Sequence, residues 1–218
     1  MNVIRFCVVM VLGLAAAAPA HALKAKLGVQ ATALGNELSG ELPTEGNWTG
    51  RRAVGFSALA DVHLTADIAL SFQPGFTPRR SRQEFKERDE VVGFVDYEIN
   101  YFCLPLLLRV TGDPVGTRGF VTAGLNLNLL LDASVDPGDG AQDISDMFRS
   151  HTLGALFGAG VMVPVGRHYL AFELRYEQGL GDIVERDGTE PEPGLAAPSV
   201  KYRGLSLSGG FLFSLGGD

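Results

Sequence analysis

The hydrophobic positions of this chain recur every second residue over long stretches, the period of a β-strand, whose side chains point alternately to opposite faces. Segment 52–64 sets Val54, Phe56, Ala58, Ala60, Val62 and Leu64 against Gly55, Ser57, Asp61 and His63. Segments 23–34, 66–76, 119–131, 150–163, 168–177 and 202–215 alternate in the same way. In 92–110 the phase changes. Val95, Tyr97, Ile99 and Tyr101 oppose Asp96, Glu98 and Asn100, and then Phe102, Leu104, Leu106 and Leu108 oppose Cys103 and Arg109. A β-bulge near Tyr101 accounts for such a slip.

Eight segments result, each long enough for a tilted membrane strand of ~9–11 residues. An even number is expected of a bacterial single-chain barrel. The connections alternate in length. Those at 35–51, 77–91, 132–149 and 178–201 are long, whereas those near Thr65, at 112–116 and at 166–167 are short. Long loops at one end and short turns at the other mark an outer-membrane barrel and place both termini in the periplasm.

The polar face decides between a membrane barrel and a soluble one. It is rich in Gly, Ser, Thr and Asn, whereas a solvated face carries many Lys and Glu. Small residues suit the interior of a narrow barrel. Tyr97, Tyr169, Tyr202 and Phe213 lie near strand ends, where interfacial girdles sit. The expected fold is all-β: a closed antiparallel transmembrane barrel of about eight strands.

The start of the chain supplies the export route. Residues 1–22 carry Arg5, then a short apolar run, then Ala20-His21-Ala22, a small-x-small cleavage pattern. The expected organisation is a signal peptide at 1–22 and a barrel domain at 23–218. Loss of Arg5 takes the formal net charge from −7 to −8. An acidic chain with no basic block argues against nucleic acid as a partner. Cys7 leaves with the leader, so Cys103 has no intrachain disulfide partner.

Charged residues on the polar face form a candidate lumen network: Lys24, Lys26, Asp61, Asp67, Asp96, Glu98, Arg109, Glu173, Arg175 and Glu177. Both signs are expected to pair, because a lone charge away from water costs several kcal/mol. The network is read as structural filling. His63, His151 and His168 bring no nucleophile motif with them, so no catalytic residue is assigned. The acidic loop Asp132, Asp136, Asp139, Asp143 and Asp146 lacks EF-hand spacing and reads as solvated. No metal or cofactor is assigned.

Two motif resemblances sharpen the picture. The stretch INYFCLPLLLR at 99–109 resembles the Y-L-E-x-P-L-L-L-K strand of PorT-like outer-membrane β-barrel proteins. GFVTAG at 119–124 and LRYEQGLGDI at 174–183 are similar to segments that follow it there. The resemblance implies the barrel fold and the outer membrane but no single activity; a founding member of that family serves a secretion system. Cys103 stands where the family has glutamate, so that residue's ion pairing does not carry over. Ser208, Gly210, Phe213 and Leu215 match the carboxy-terminal pattern read by the barrel-assembly machinery.

The expected function is an outer-membrane barrel with a plugged polar lumen, acting through its loops as a structural, interaction or secretion-associated component. The alternatives are a narrow porin and, behind it, a lipid-modifying enzyme. Expected partners are outer-membrane lipid, the assembly machinery and other envelope or secretion proteins, with the barrel itself a monomer.

Overall fold

The computed structural model describes residues 25–40, 46–87, 90–112, 116–138, 140–184 and 200–215, and the side chains of these apart from 36–48 and 86–92. The signal-peptide segment and Lys24 lie outside the described residues.

Among the described residues ten strands appear in chain order: β1 (Ala25–Gly40), β2 (Gly46–His63), β3 (Ile68–Phe72), β4 (Gly75–Glu87), β5 (Glu90–Thr111), β6 (Arg118–Asp136), β7 (Gln142–Asp143), β8 (His151–Val165), β9 (His168–Gly179) and β10 (Val200–Leu215). β3 and β4 form one wall strand interrupted at Gln73 and Pro74. The amide of Gln73 still donates to Pro105 O (3.1 Å), and Pro74 O still accepts from Ala58 N (2.9 Å). Two-residue β7 only flanks β6. Eight wall strands therefore form a ring, each antiparallel to its neighbours. β1 closes it against β10 from Ala25↔Leu215 to Gly40↔Val200. Closure leaves no open edge, as lipid requires, because hydrocarbon supplies no partner for a free amide.

The wall is apolar outside and polar inside over the turn-end half. Leu125, Phe157, Val161, Leu170, Phe172 and Leu207 are exposed on the outer surface, while Asn126, Asn128, Glu173, Arg175 and Ser208 are buried within. Inward glycines on β8 make this possible. A Cβ on Gly154 would strike the Tyr202 hydroxyl, and one on Gly158 would strike the Glu173 carboxylate.

The strands run further than a membrane needs. β5 has 22 residues, about twice the requirement of ~9–11. The expected long loops at 35–51 and 77–91 are therefore largely strand: β1 reaches Gly40 and β2 resumes at Gly46, and β4 and β5 leave two residues between them. The segment after β6 folds inward instead. It carries β7, a 3-10 turn at Ser145–Met147 and Phe148, which bridges to Val184.

The loop-end half corrects three expectations at once. β5 does not slip: Ile99, Tyr101, Cys103, Leu107 and Arg109 are all buried on one inward face. The pairing does shift between Asn100 and Tyr101, but the extra residue is Leu131 on β6, which points outward at 56% exposure. Asp96 and Glu98 consequently lie on the outside of the wall and not in the lumen. Of the expected girdle, Tyr202 is buried inside, Tyr97 bonds the buried Gln83 and Tyr169 packs against an inner apolar layer, while Phe213 alone of the four is exposed on the outer wall. The physical reason is common to all of these: above the membrane the outer solvent is water, so the apolar face turns inward as in a soluble barrel.

Candidate functional site: a filled lumen in layers

The lumen is built from side chains on facing strands, in layers from the turn end to the loop end. At the turn end Asp61 and Arg109 form a buried ion pair across β3. Lys26 lies 4.3 Å from the centre of the Tyr169 ring, and Arg118 lies 5.3 Å from it. Next comes an apolar layer of Leu59, Phe120, Met162, Ala171 and Leu212. The Arg109 guanidinium stacks over Phe120 at 4.7 Å.

The middle layer centres on Glu173. Arg175 Nη2 donates to Glu173 Oε2 at 2.7 Å and to Gln73 Oε1 at 2.7 Å. Thr122 Oγ1 donates to Glu173 Oε1 at 2.5 Å. Gln73 continues the chain to Ser71 Oγ (2.9 Å) and receives Gln30 Nε2 (3.3 Å). Thr32 and Ser208 hydroxyls meet at 2.9 Å.

The layer above centres on Arg79, a residue absent from the expected network. Its guanidinium is 3% exposed and pairs with Glu177 at 3.1 Å. It stacks over Tyr202 at 3.5 Å and lies 4.6 Å from the Tyr101 ring. Glu177 Oε1 also accepts from Asn126 (2.7 Å) and from the Tyr202 hydroxyl (2.8 Å). Asn128 Oδ1 accepts from Arg79 (3.1 Å) and from the Cys103 thiol (2.9 Å). Cys103 is thus a buried donor beside a carboxylate supplied by Glu177. Arg79 escaped the sequence reading because it sits among Arg80 and Arg82 in what read as a polar loop. Only the inward register of Arg79, Ser81 and Gln83, all buried, separates it from its exposed neighbours.

An apolar plug caps the stack. Ile99, Tyr101, Cys103, Ala133, Phe148, Ile183, Val200 and Tyr202 form one buried cluster, with Leu130, Ile144 and Val184 against it. Among the described residues, an interior void lined by Gln30, Gln73, Arg175, Asn126 and Glu177 measures about 50 Å³, room for one or two water molecules.

The remaining expected lumen residues go elsewhere. Asp67 is exposed in the turn between β2 and β3, where its backbone oxygen accepts from Thr111 N (2.8 Å). Alternation placed it inward, but the chain has already left the strand at that point. Asp96 pairs outside the wall with Arg51 (2.7 Å) and Arg82 (2.7 Å), and Glu98 pairs with Arg80 (3.1 Å). The hydrogen bond from Arg82, helped by Arg51, holds the Asp96 carboxyl below the usual carboxylate range. The acidic loop spends its carboxylates locally. Asp136 accepts from Gly138 N (2.8 Å), and Asp143 from Ser145 N (2.9 Å) and Oγ (2.6 Å). Those Ser145 contacts keep the Asp143 carboxyl low as well. His151 meets the Ser150 hydroxyl at 3.3 Å on the exposed loop end. On β10, Ser208 is buried, while Phe213 and Leu215 are exposed on the outer wall.

Residues 21–185 match the family model of the outer membrane protein beta-barrel domain. The chain belongs to that family. It is an all-β barrel protein of the bacterial outer membrane. Among solved structures, it is similar to Neisserial surface protein A, at 17% identity and TM-score 0.47, over 84% of this chain and 95% of that one. It is similar also to OprG from Pseudomonas aeruginosa, at 13% identity and TM-score 0.48, over 88% and 96%. Ail of Yersinia pestis matches at 12% identity and TM-score 0.44, over 88% and 99%. No curated protein sequence matches the chain.

Proposed function

We propose that this barrel is a plugged, non-enzymatic structural or interaction protein that works through its loop end. The carrying observation is the filled lumen: two apolar layers and three charged layers stack from the turn end to the loop end, and the described interior void among them holds only a water or two. Packing of that kind suits a scaffold better than a pore. In this reading the turn end faces the periplasm, and the loop end, with its outer rim of Arg51, Arg80, Arg82, Asp96 and Glu98, faces the outside and meets other envelope or secretion proteins. The PorT-like motifs at 99–109 and 174–183 favour a secretion-associated role within the family. The carboxy-terminal strand would engage the assembly machinery through the outward Phe213 and Leu215, and outer-membrane lipid would cover the apolar wall.

Single-channel recording of the purified, refolded protein in planar bilayers tests this. The expected result is a silent membrane. Steady, reproducible conductance steps would reject the plug and favour the narrow porin.

A further inference from the structure

Among the described residues, the charge of the lumen is balanced except at its turn end. Arg79 meets Glu177, and Arg175 meets Glu173. In the turn-end layer one carboxylate, Asp61, faces three cations: Lys26, Arg109 and Arg118. Arg109 already bonds Asp61. Lys26 stands opposite Asp61 in the β1–β2 register, yet among the described residues it donates no hydrogen bond and only stacks on Tyr169.

The same layer collects buried polar atoms without partners. Arg109 Nε, Arg118 Nε, His63 Nε2 and Thr111 Oγ1 are all buried and unbonded. The free oxygen of Asp61 is unbonded too, but as an acceptor it calls for water and not for an anion. Arg109 and Thr111 are 2% and 5% exposed. Buried polar groups are almost always satisfied by protein, water or an ion, and an uncompensated buried cation is costly. These atoms belong to three strands, β2, β5 and β6, and Lys26 of β1 joins them, stacked with Arg118 over Tyr169 of β9. Sequence-local turn chemistry therefore does not explain their meeting.

We infer that this layer is a binding site for a small divalent oxyanion of the phosphate class, entering from the turn end. A dianion matches the local excess of two positive charges. Four tetrahedral oxygens suit donors carried on three different strands, β1, β5 and β6, which a planar carboxylate with fewer acceptor sites does not. Arg118 and His63 are only partly buried, which leaves the layer open to solvent on that side. Arg118 Nε, the Lys26 ammonium and Thr111 Oγ1 would donate to the anion, and Arg109 would hold Asp61 aside.

Calorimetric titration of the refolded full-length protein with inorganic phosphate, at constant ionic strength in chloride, tests the site. The expected result is saturable binding near one equivalent, competed by sulfate and not by nitrate. A parallel titration with glycerol phosphate separates a site for the free ion from one that takes phosphate esters. Arg118→Gln should weaken phosphate binding about 10-fold or more, the loss expected of one charge-assisted hydrogen bond. Lys26→Met should do the same, and Arg80→Gln at the loop end should leave affinity unchanged. Each variant is first confirmed folded by its heat-modifiable gel mobility, and either turn-end variant alone suffices for the comparison. Absence of saturable binding in the folded wild type, which would leave the orphan atoms to water, overturns the inference. Equal affinity in the folded turn-end variants overturns it as well.

Discussion

The turn-end and loop-end halves of this barrel share strands but follow opposite rules. Along β5, Arg109 and Cys103 point inward near lipid level, and so do Ile99 and Tyr101 above it, without a break in register. Outside, the same strand changes from Leu108 and Leu106 to Glu98 and Asp96. On this strand the inward face changes from Arg109 to Tyr101 and Ile99 as the outward face changes from leucine to carboxylate. A single wall thus passes from membrane protein to soluble barrel without any element ending. The difference teaches that face polarity is a statement about the solvent at that depth and not about the strand.

The two halves also use ion pairs differently. Glu177 and Arg79 are desolvated together inside, where removing one partner strands the other. Arg80 and Glu98 sit on the solvated rim, where an exposed pair contributes ~0–1 kcal/mol. Glu177→Gln should therefore give the largest effect, a destabilisation of ~3–5 kcal/mol by leaving Arg79 charged and unpaired. Urea unfolding followed by heat-modifiable mobility measures it. The double variant Glu177→Gln with Arg79→Met should recover much of the loss. If it does not, the pair is not the cause.

Leu125→Arg tests the lipid-level rule. A cation on the outer wall near the bilayer midplane costs ~2–4 kcal/mol, so assembly in vesicles should fall sharply. The equivalent change at the loop end, Leu131→Arg, places the charge on the outward bulge residue above that level and should be tolerated. Similar assembly yields for the two variants would contradict the depth assignment.

The smallest effect is expected from acid. The Asp96 carboxyl is held low by Arg82 and Arg51, so its contribution is complete above its unfolded value, near pH 4. It fades as the pH falls through the lowered folded value. Hydrogen exchange should then show the β4–β5 pairing around Arg82 and Asp96 loosening below about pH 4 while the membrane-level amides stay protected. Arg82→Gln should move the onset of loosening to higher pH. Uniform loss of protection along β5 would mean that the rim and the membrane ring open as one unit.

The two-residue alternation was legible in the amino-acid sequence because it is local: each strand writes its own faces, and eight such segments with connections of unequal length sufficed for a closed barrel. Glycine at the inward positions of β8 was legible too, since only small residues leave room for Glu173 and Tyr202 across the lumen. The sequence alone left the depth at which the outer solvent changes undetermined. The apolar face of 95–101 therefore read as lipid-facing and implied a slip in β5, when the extra residue is Leu131 on β6. Nor did it show that Arg79, from a run of arginines, turns inward to Glu177, 98 positions away. The meeting of Lys26, Asp61, Arg109 and Arg118 from four strands is likewise a property of ring closure and stagger. Alternation fixes which residues share a face, but only the closed register fixes which residues share a layer, and charge balance is settled layer by layer.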